Sequence, residues 1–200
     1  MFDFKLVSTM CHKKCLSKPL IIFVAFACLI APLTGLGGQV LTDAGKLERV
    51  YALYADYKEA FPLVKDISAK DAMQMMKNGK NLVFVDTRRP EEMAISMLPN
   101  AISKEVFLAG SPAAYADSVV IAYCTISYRS GIFARDLAGA GRELYNLKGG
   151  LLAWVLEGGV VYDRDGVSRR VHVYGDKWKL APDGYEMIVF PLWKQFFPFT

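Results

Sequence analysis

The sequence predicts an α/β fold, a central parallel sheet flanked by helices on both faces, and three observations lead there. Short apolar runs, Leu82–Asp86 (LVFVD) and Ser118–Tyr123 (SVVIAY), alternate with helical stretches. Strands that read as continuous apolar runs, rather than alternating ones, are buried on both faces, as in sheets built from βαβ units. Hydrophobic residues make up 53% of the chain against 22% charged, which fills a core and excludes a disordered tail or a collagen-like polymer. At 200 residues the chain holds one ordinary domain with extensions.

Residues 1–38 read as a targeting segment. Lys5, Lys13, Lys14 and Lys18 precede the almost wholly apolar Leu20–Leu33, and Thr34, Gly35, Gly37 and Gly38 follow it. A basic start, an apolar middle and a small-residue end describe a secretory signal peptide. The run also approaches the ~20 residues of a bilayer span, so a retained membrane anchor through residues 19–38 stays open. Either way the lysines remain in the cytoplasm and the rest is exported, periplasmic or anchored to the membrane with the domain outside. Cys11, Cys15 and Cys28 fall in this segment, leaving Cys124 as the exported cysteine, with no partner for an internal disulfide. The net charge of +4 is concentrated here too: the rest of the chain has 20 basic and 19 acidic side chains. A near-neutral body offers no basic face, so nucleic acid is not an expected partner.

The other elements follow in order. Residues 39–62 form a lead-in helix: Leu47, Val50, Tyr51, Tyr54, Tyr57 and Phe61 recur at helical spacing over Asp43–Phe61, and Pro62 ends it. Residues 63–165 are the main domain. Ser68-Ala-Lys-Asp71 reads as a capping box opening a short helix that Gly79 closes. The strand Leu82–Asp86 leads to a helical Pro90–Met97, then the strand Ser118–Tyr123 to a helix over Arg129–Ala140. Leu144–Leu147 is a third strand and Leu151–Leu156 a last helix, stopped by Gly158 and Gly159. Residues 166–200 are a small β/aromatic extension. The turn signal Asp163-Arg-Asp-Gly166 predicts a hairpin over Val160–Tyr174. The aromatic tail Met187–Phe199, broken by Pro191, Lys194 and Pro198, is too short to span a bilayer. Packing on the domain is its expected task, with a partner or membrane-surface contact as the alternative.

Parallel sheets bind ligands beyond the carboxyl ends of their strands, where both Asp86 and Cys124 fall. The stretch Cys124-Thr125-Ile126-Ser127-Tyr128-Arg129-Ser130-Gly131 lies between a buried strand and a helix. A tight turn there aims successive amides inward, the helix start adds partial positive charge, and Arg129 adds a full one. All three favour thiolate over thiol and would stabilise an anion attached to the sulfur. A small buried hydrophobe is the bland alternative for a free cysteine.

These residues resemble the rhodanese family, the single-domain sulfurtransferases, over about Val64 to Val161. Val85-Asp86-Thr87-Arg88 with Pro90-Glu91-Glu92 is similar to that family's first motif, and Leu98-Pro99-Asn100-Ala101-Ile102 to the segment after it. Cys124 to Arg129 matches its six-residue active loop, and Leu147-Lys-Gly149-Gly150-Leu-Leu-Ala-Trp154, then Gly158, its closing motif. The resemblance implies ping-pong sulfur transfer. Cys124 would take the outer sulfur of a small donor as a persulfide and pass it to a thiol or cyanide-like acceptor. Thr125, Ile126, Ser127, Tyr128 and Ser130 would hold that persulfide through backbone amides. Arg129 would bind an anionic donor, and Asp86 and Arg88 would brace the loop or form a buried structural pair. Gly149, Gly150 and Trp154 would shape a turn and fill the core. No cofactor or metal site is implied, and oligomeric state is not readable.

Two positions depart from the family pattern. Many thiosulfate-using members have a second basic residue after the cysteine and a glycine at the fourth loop position; here these are Thr125 and Ser127. That weakens the case for a small dianion and leaves thiosulfate and persulfides both open as donors. Among rivals, a cysteine phosphatase needs one more residue between cysteine and arginine. A Cys–His hydrolase has only His172 available outside residues 1–38. A catalytically silent binding module with this fold is the alternative of a different class.

Overall fold

The computed structural model describes residues 41–191. The targeting segment and its three cysteines, and the aromatic tail from residue 192 onward, lie outside the described residues. Among those described, no helix is long and apolar enough to cross a membrane.

Thr42 caps helix α1 (Asp43–Lys58) through its hydroxyl, which accepts from the Gly45 amide. Then come β1 (Asp66–Ile67), α2 (Ala69–Lys77), β2 (Leu82–Asp86), α3 (Pro90–Met93), β3 (Ile102–Ser103) and α4 (Lys104–Ala109). The second half holds β4 (Val119–Tyr123), α5 (Tyr128–Gly139), β5 (Tyr145–Leu147) and α6 (Gly150–Leu156). Five parallel strands form one sheet in the order β1-β5-β4-β2-β3. The predicted strands at 82–86, 118–123 and 144–147 are therefore present, with β4 at the centre. The two-residue edge strands β1 and β3 carry too little pattern to read from sequence.

Successive strand residues point to opposite faces, and the two cores show it. Phe84 and Ile121 join Val50, Leu53, Ala72, Leu151, Leu152 and Trp154, so α1, α2 and α6 cover one face. Val85 and Ala122 join Phe107 and Ala134, so α4 and α5 cover the other. Trp154 is 1% exposed, meets Phe84 edge-on at 5.3 Å and donates its indole N–H to Val160 O. Phe61 packs where α5 presents Gly131; a Cβ there would lie 2.3 Å from the Phe61 ring.

Several expected boundaries differ. Helix α1 stops at Lys58, and tight turns bring Phe61 into the core. Ser68 caps α2 by accepting from the Asp71 amide, but its hydroxyl also donates to the Asp71 carboxylate, so the reciprocal half of a capping box is not formed. The predicted helix Pro90–Met97 ends at Met93, because Met97 leaves to exchange backbone hydrogen bonds with Tyr162. The predicted hairpin Val160–Tyr174 is shorter: β6 (Val161–Asp163) pairs antiparallel with β7 (Gly166–Ser168). Next, β8 (Arg170–His172) pairs parallel with β9 (Glu186–Ile188) as a separate small sheet. The reason is burial. Val171 and Val173 are fully buried in the α1/α2/α6 core, as are Leu180 and Ala181 within a few per cent, so the extension is part of the domain.

Candidate active site

Cys124 follows directly on the central strand. Thr87, just past the end of β2, donates its amide and its hydroxyl to Tyr123 O, each at 3.0 Å, tying the two strand ends together. From the other side α6 grips the loop: Leu151 N donates to Cys124 O at 2.9 Å and Leu152 N to Thr125 O at 3.1 Å. That approach requires Gly150, where φ is 60° and a Cβ would lie 2.4 Å from Cys124 O. Ser130 Oγ donates to Asn146 Oδ1 at 2.7 Å, and Ser127 Oγ donates to Leu147 O, so β5 holds the loop from below.

Ser127 occupies the left-handed region, φ 76°, which L-residues avoid at a cost of about 1–2 kcal/mol. The loop therefore keeps the backbone that a glycine would favour, and the Ser127–Leu147 hydrogen bond offsets part of the strain. With the loop carbonyls taken by α6, the amides of Thr125, Ile126 and Ser127 make no backbone hydrogen bond among the described residues. These amides lead into α5, whose N-terminus adds its dipole at the same place.

A cavity of about 350 Å³ opens onto this loop, lined by Cys124, Thr125 and Ile126 and walled by aromatic rings. Cys124 itself is 2% exposed. Thr125 is buried too, and its hydroxyl has no hydrogen-bond partner among the described residues.

Arg129 also lines the cavity, but its guanidinium is engaged. It forms a two-pronged pair with Glu92, Nη1 to Oε2 at 2.7 Å and Nη2 to Oε1 at 2.9 Å. Glu92 Oε2 also accepts the Arg89 amide and Oε1 the Tyr174 hydroxyl, while His172 Nδ1 stands 3.0 Å from Oε1, off the hydrogen-bond direction. The Tyr174 ring lies under the guanidinium at 5.1 Å. Burial works against the Glu92 charge, but His172 and Arg129 outweigh it and hold the carboxyl well below the usual range. Burial likewise opposes the Arg129 charge, and Glu92 with the nearby Cys124 sulfur overcomes it. Burial and the Glu92 carboxylate push the Tyr174 phenol up against the opposing effect of Arg129.

Residues 68–157 match the rhodanese-like domain. A sulfurtransferase from Allochromatium vinosum is 31% identical over 100 residues, 48% of this chain and 92% of that protein. The chain belongs to the rhodanese-like domain family. Among solved structures, a thiosulfate sulfurtransferase from Pseudomonas aeruginosa is 22% identical with a TM-score of 0.46. That match covers 58% of this chain, and this chain spans 23% of the Pseudomonas protein. A polysulfide-sulfur transferase homodimer from Wolinella succinogenes is 25% identical with a TM-score of 0.42, over 56% of this chain and 88% of that one.

Within the rhodanese-like domain, the expected loop residues Cys124, Thr125, Ile126, Ser127, Tyr128, Arg129 and Ser130 come together, though not in equal roles. Ser127 and Ser130 point their side chains to β5, away from the cavity. Arg129, expected to bind an anionic donor, is paired with a buried carboxylate. Of the two readings open for Asp86 and Arg88, the structure shows the buried ion pair: they bind each other, and Arg88 also donates to Ser96 O at 2.5 Å. They fix the turn that follows β2, where Arg88 also lies over the Tyr123 ring, and Thr87 between them ties that turn to the backbone at the end of β4. His172 is a buried residue, 1% exposed, set against Glu92. Sequence reasoning missed Glu92 as the partner of Arg129, and Tyr57, Tyr174 and Trp178 as cavity walls. The Pro90-Glu91-Glu92 motif was the available signal for the first; nothing local marks the other three.

Proposed function

We propose that this chain is a sulfurtransferase that carries sulfane sulfur on Cys124. The observation that supports it most is the placing of Cys124 at the base of an open cavity, at the end of the central strand, beside loop amides with no backbone acceptor. The Cys124 thiolate attacks the outer sulfur of a donor, forming a new S–S bond as the donor's own bond to that sulfur breaks. The electron pair departs with the donor remnant, a sulfite, sulfinate or thiolate. The loop amides of residues 125–130 hold the terminal sulfur of the resulting persulfide. An acceptor such as cyanide or a thiolate then takes that sulfur and returns Cys124 as thiolate. Export is part of the proposal, supported by the basic–apolar–small order of residues 1–38.

One observation favours a second reading, a silent binding module: the charge of Arg129 is matched by Glu92. Thiocyanate formation from a panel of sulfane donors and cyanide separates the two. The sulfurtransferase reading expects turnover that Cys124→Ser abolishes; no turnover with any donor, by a folded protein, supports the binding module.

A further inference from the structure

Of the four rings that wall the cavity, only Tyr128 belongs to the family's domain, and the other three come from outside it. The match covers residues 68–157, whereas Tyr57 belongs to α1 and Tyr174 and Trp178 to the C-terminal extension. They are arranged as two ring pairs: Tyr57 with Tyr128, centroids 5.4 Å apart, and Tyr174 with Trp178, centroids 5.9 Å apart. Ile126 adds a branched apolar side chain between strand and helix. At about 350 Å³ the space is more than twice the roughly 150 Å³ of a protein cavity that holds a benzene molecule. Inorganic thiosulfate needs neither this volume nor this apolar lining.

The polar side of the cavity fits a small charge. Two arginines line the cavity and both are engaged: Arg129 is paired with Glu92, so it adds little net positive potential, and Arg89 has an interaction of its own. The residue after the cysteine is Thr125, a neutral group whose buried hydroxyl lacks a partner among the described residues and can donate one hydrogen bond. A dianion would enter beside a thiolate with its charge poorly matched, whereas a single charge on a carbon-bearing molecule is served by the loop amides and one hydroxyl.

We propose that the flanking segments build a donor-specificity pocket, in which Tyr57, Tyr174 and Trp178 select a singly charged sulfane-sulfur donor with an aromatic or branched apolar body. This rests on the Cys124 persulfide reading and adds to it the class of donor. With a thiosulfonate, R–SO₂–S⁻, the Cys124 thiolate bonds to the outer sulfur and the bond to the sulfonyl sulfur breaks. The electron pair leaves on the sulfinate R–SO₂⁻, and the enzyme keeps the persulfide anion. Cyanide then removes the outer sulfur as thiocyanate, restoring the thiolate.

The test compares kcat/KM of the full chain for benzenethiosulfonate, methanethiosulfonate and inorganic thiosulfate, with cyanide as acceptor. The first two share head group and charge and differ only in body. Benzenethiosulfonate should exceed methanethiosulfonate about tenfold, the scale of partly burying one ring, and thiosulfate by more. Trp178→Ala should remove most of the first difference, lowering kcat/KM for benzenethiosulfonate several-fold more than for methanethiosulfonate. Tyr57→Leu gives an independent check should Trp178→Ala lower the melting temperature. Equal values for the two thiosulfonates, preference for thiosulfate, or equal loss on all donors in the variants overturns the pocket and leaves sulfur transfer standing. Failure of every donor to load Cys124 overturns the sulfur-transfer reading itself.

Discussion

Two arginine–carboxylate pairs lie within one stretch of the fold, and they do different work. Asp86 and Arg88 are two residues apart, both with fully buried side chains, and the guanidinium adds Ser96 O and the Tyr123 ring to its contacts. Glu92 and Arg129 join α3 to α5, and the Arg129 side chain is 30% exposed toward the cavity. Glu92 further accepts from Tyr174 of the extension, so this second pair links three separate parts of the chain. The same chemistry thus fixes a turn in one place and joins the helix after the Cys124 loop to the wall of the cavity in the other. Burial and connectivity decide the role, not residue type.

The sharpest way to break the comparison is to remove one partner from each pair. Arg88→Ala strands Asp86 without a counter-charge in the core, and a loss of about 3–5 kcal/mol is expected in urea or thermal unfolding. Activity should follow the folded fraction, with donor preference unchanged. A near-neutral effect would mean that the turn does not depend on this pair.

Glu92→Gln should have a smaller effect on stability, about 2 kcal/mol, since Gln keeps a hydrogen-bonding group for Arg129 and Tyr174. It should also do what Arg88→Ala does not: release the charge of Arg129 and raise kcat/KM for thiosulfate several-fold relative to the neutral-bodied donors. The pH dependence follows from the lowered Glu92 value. A depressed carboxyl contributes stability that is fully present above its ordinary value of 4.5 and lost as pH falls toward the folded-state value. Stability of the unaltered protein should therefore fall more steeply below about pH 4.5 than that of Glu92→Gln. Parallel profiles would contradict the assigned role. Arg129→Ala, by contrast, leaves Glu92 buried with fewer partners and should lower stability along with activity.

The smallest effect expected is at Ser127. Ser127→Ala keeps the left-handed backbone but loses the bond to Leu147 O, and about 1–2 kcal/mol should be lost. Ser127→Gly relieves the strain while losing the same bond, so it should lie closer to the unaltered protein. Thermal melts of the two variants give the order; Ala above Gly would remove the backbone argument.

What the sequence made legible was local and periodic. The apolar runs that became β2 and β4 are continuous because both sheet faces are covered, and Cys124 was readable because it ends one of them. Arg129 was legible as a position but not as a pair, since Glu92 lies 37 residues away and Tyr174 a further 45 beyond the arginine, with no pattern joining them. The hairpin was over-extended for a related reason. The turn at Asp163–Gly166 is a local signal, whereas β8 is drawn off to β9 by the burial of Val171 and Val173, which only the assembled core decides. Tyr57 was legible only as one residue of a helical face and Trp178 carried no local signal, because the cavity they wall exists only after both flanking segments have docked.

The central claim is that Cys124 accepts one sulfur atom. The most direct measurement is intact and peptide mass spectrometry of the full chain after exposure to a sulfane donor, before any acceptor is added. A gain of one sulfur atom on the peptide bearing Cys124, lost on adding cyanide and absent in Cys124→Ser, is the result expected. An unmodified Cys124 in folded protein, across thiosulfate, thiosulfonate and persulfide donors, would contradict it.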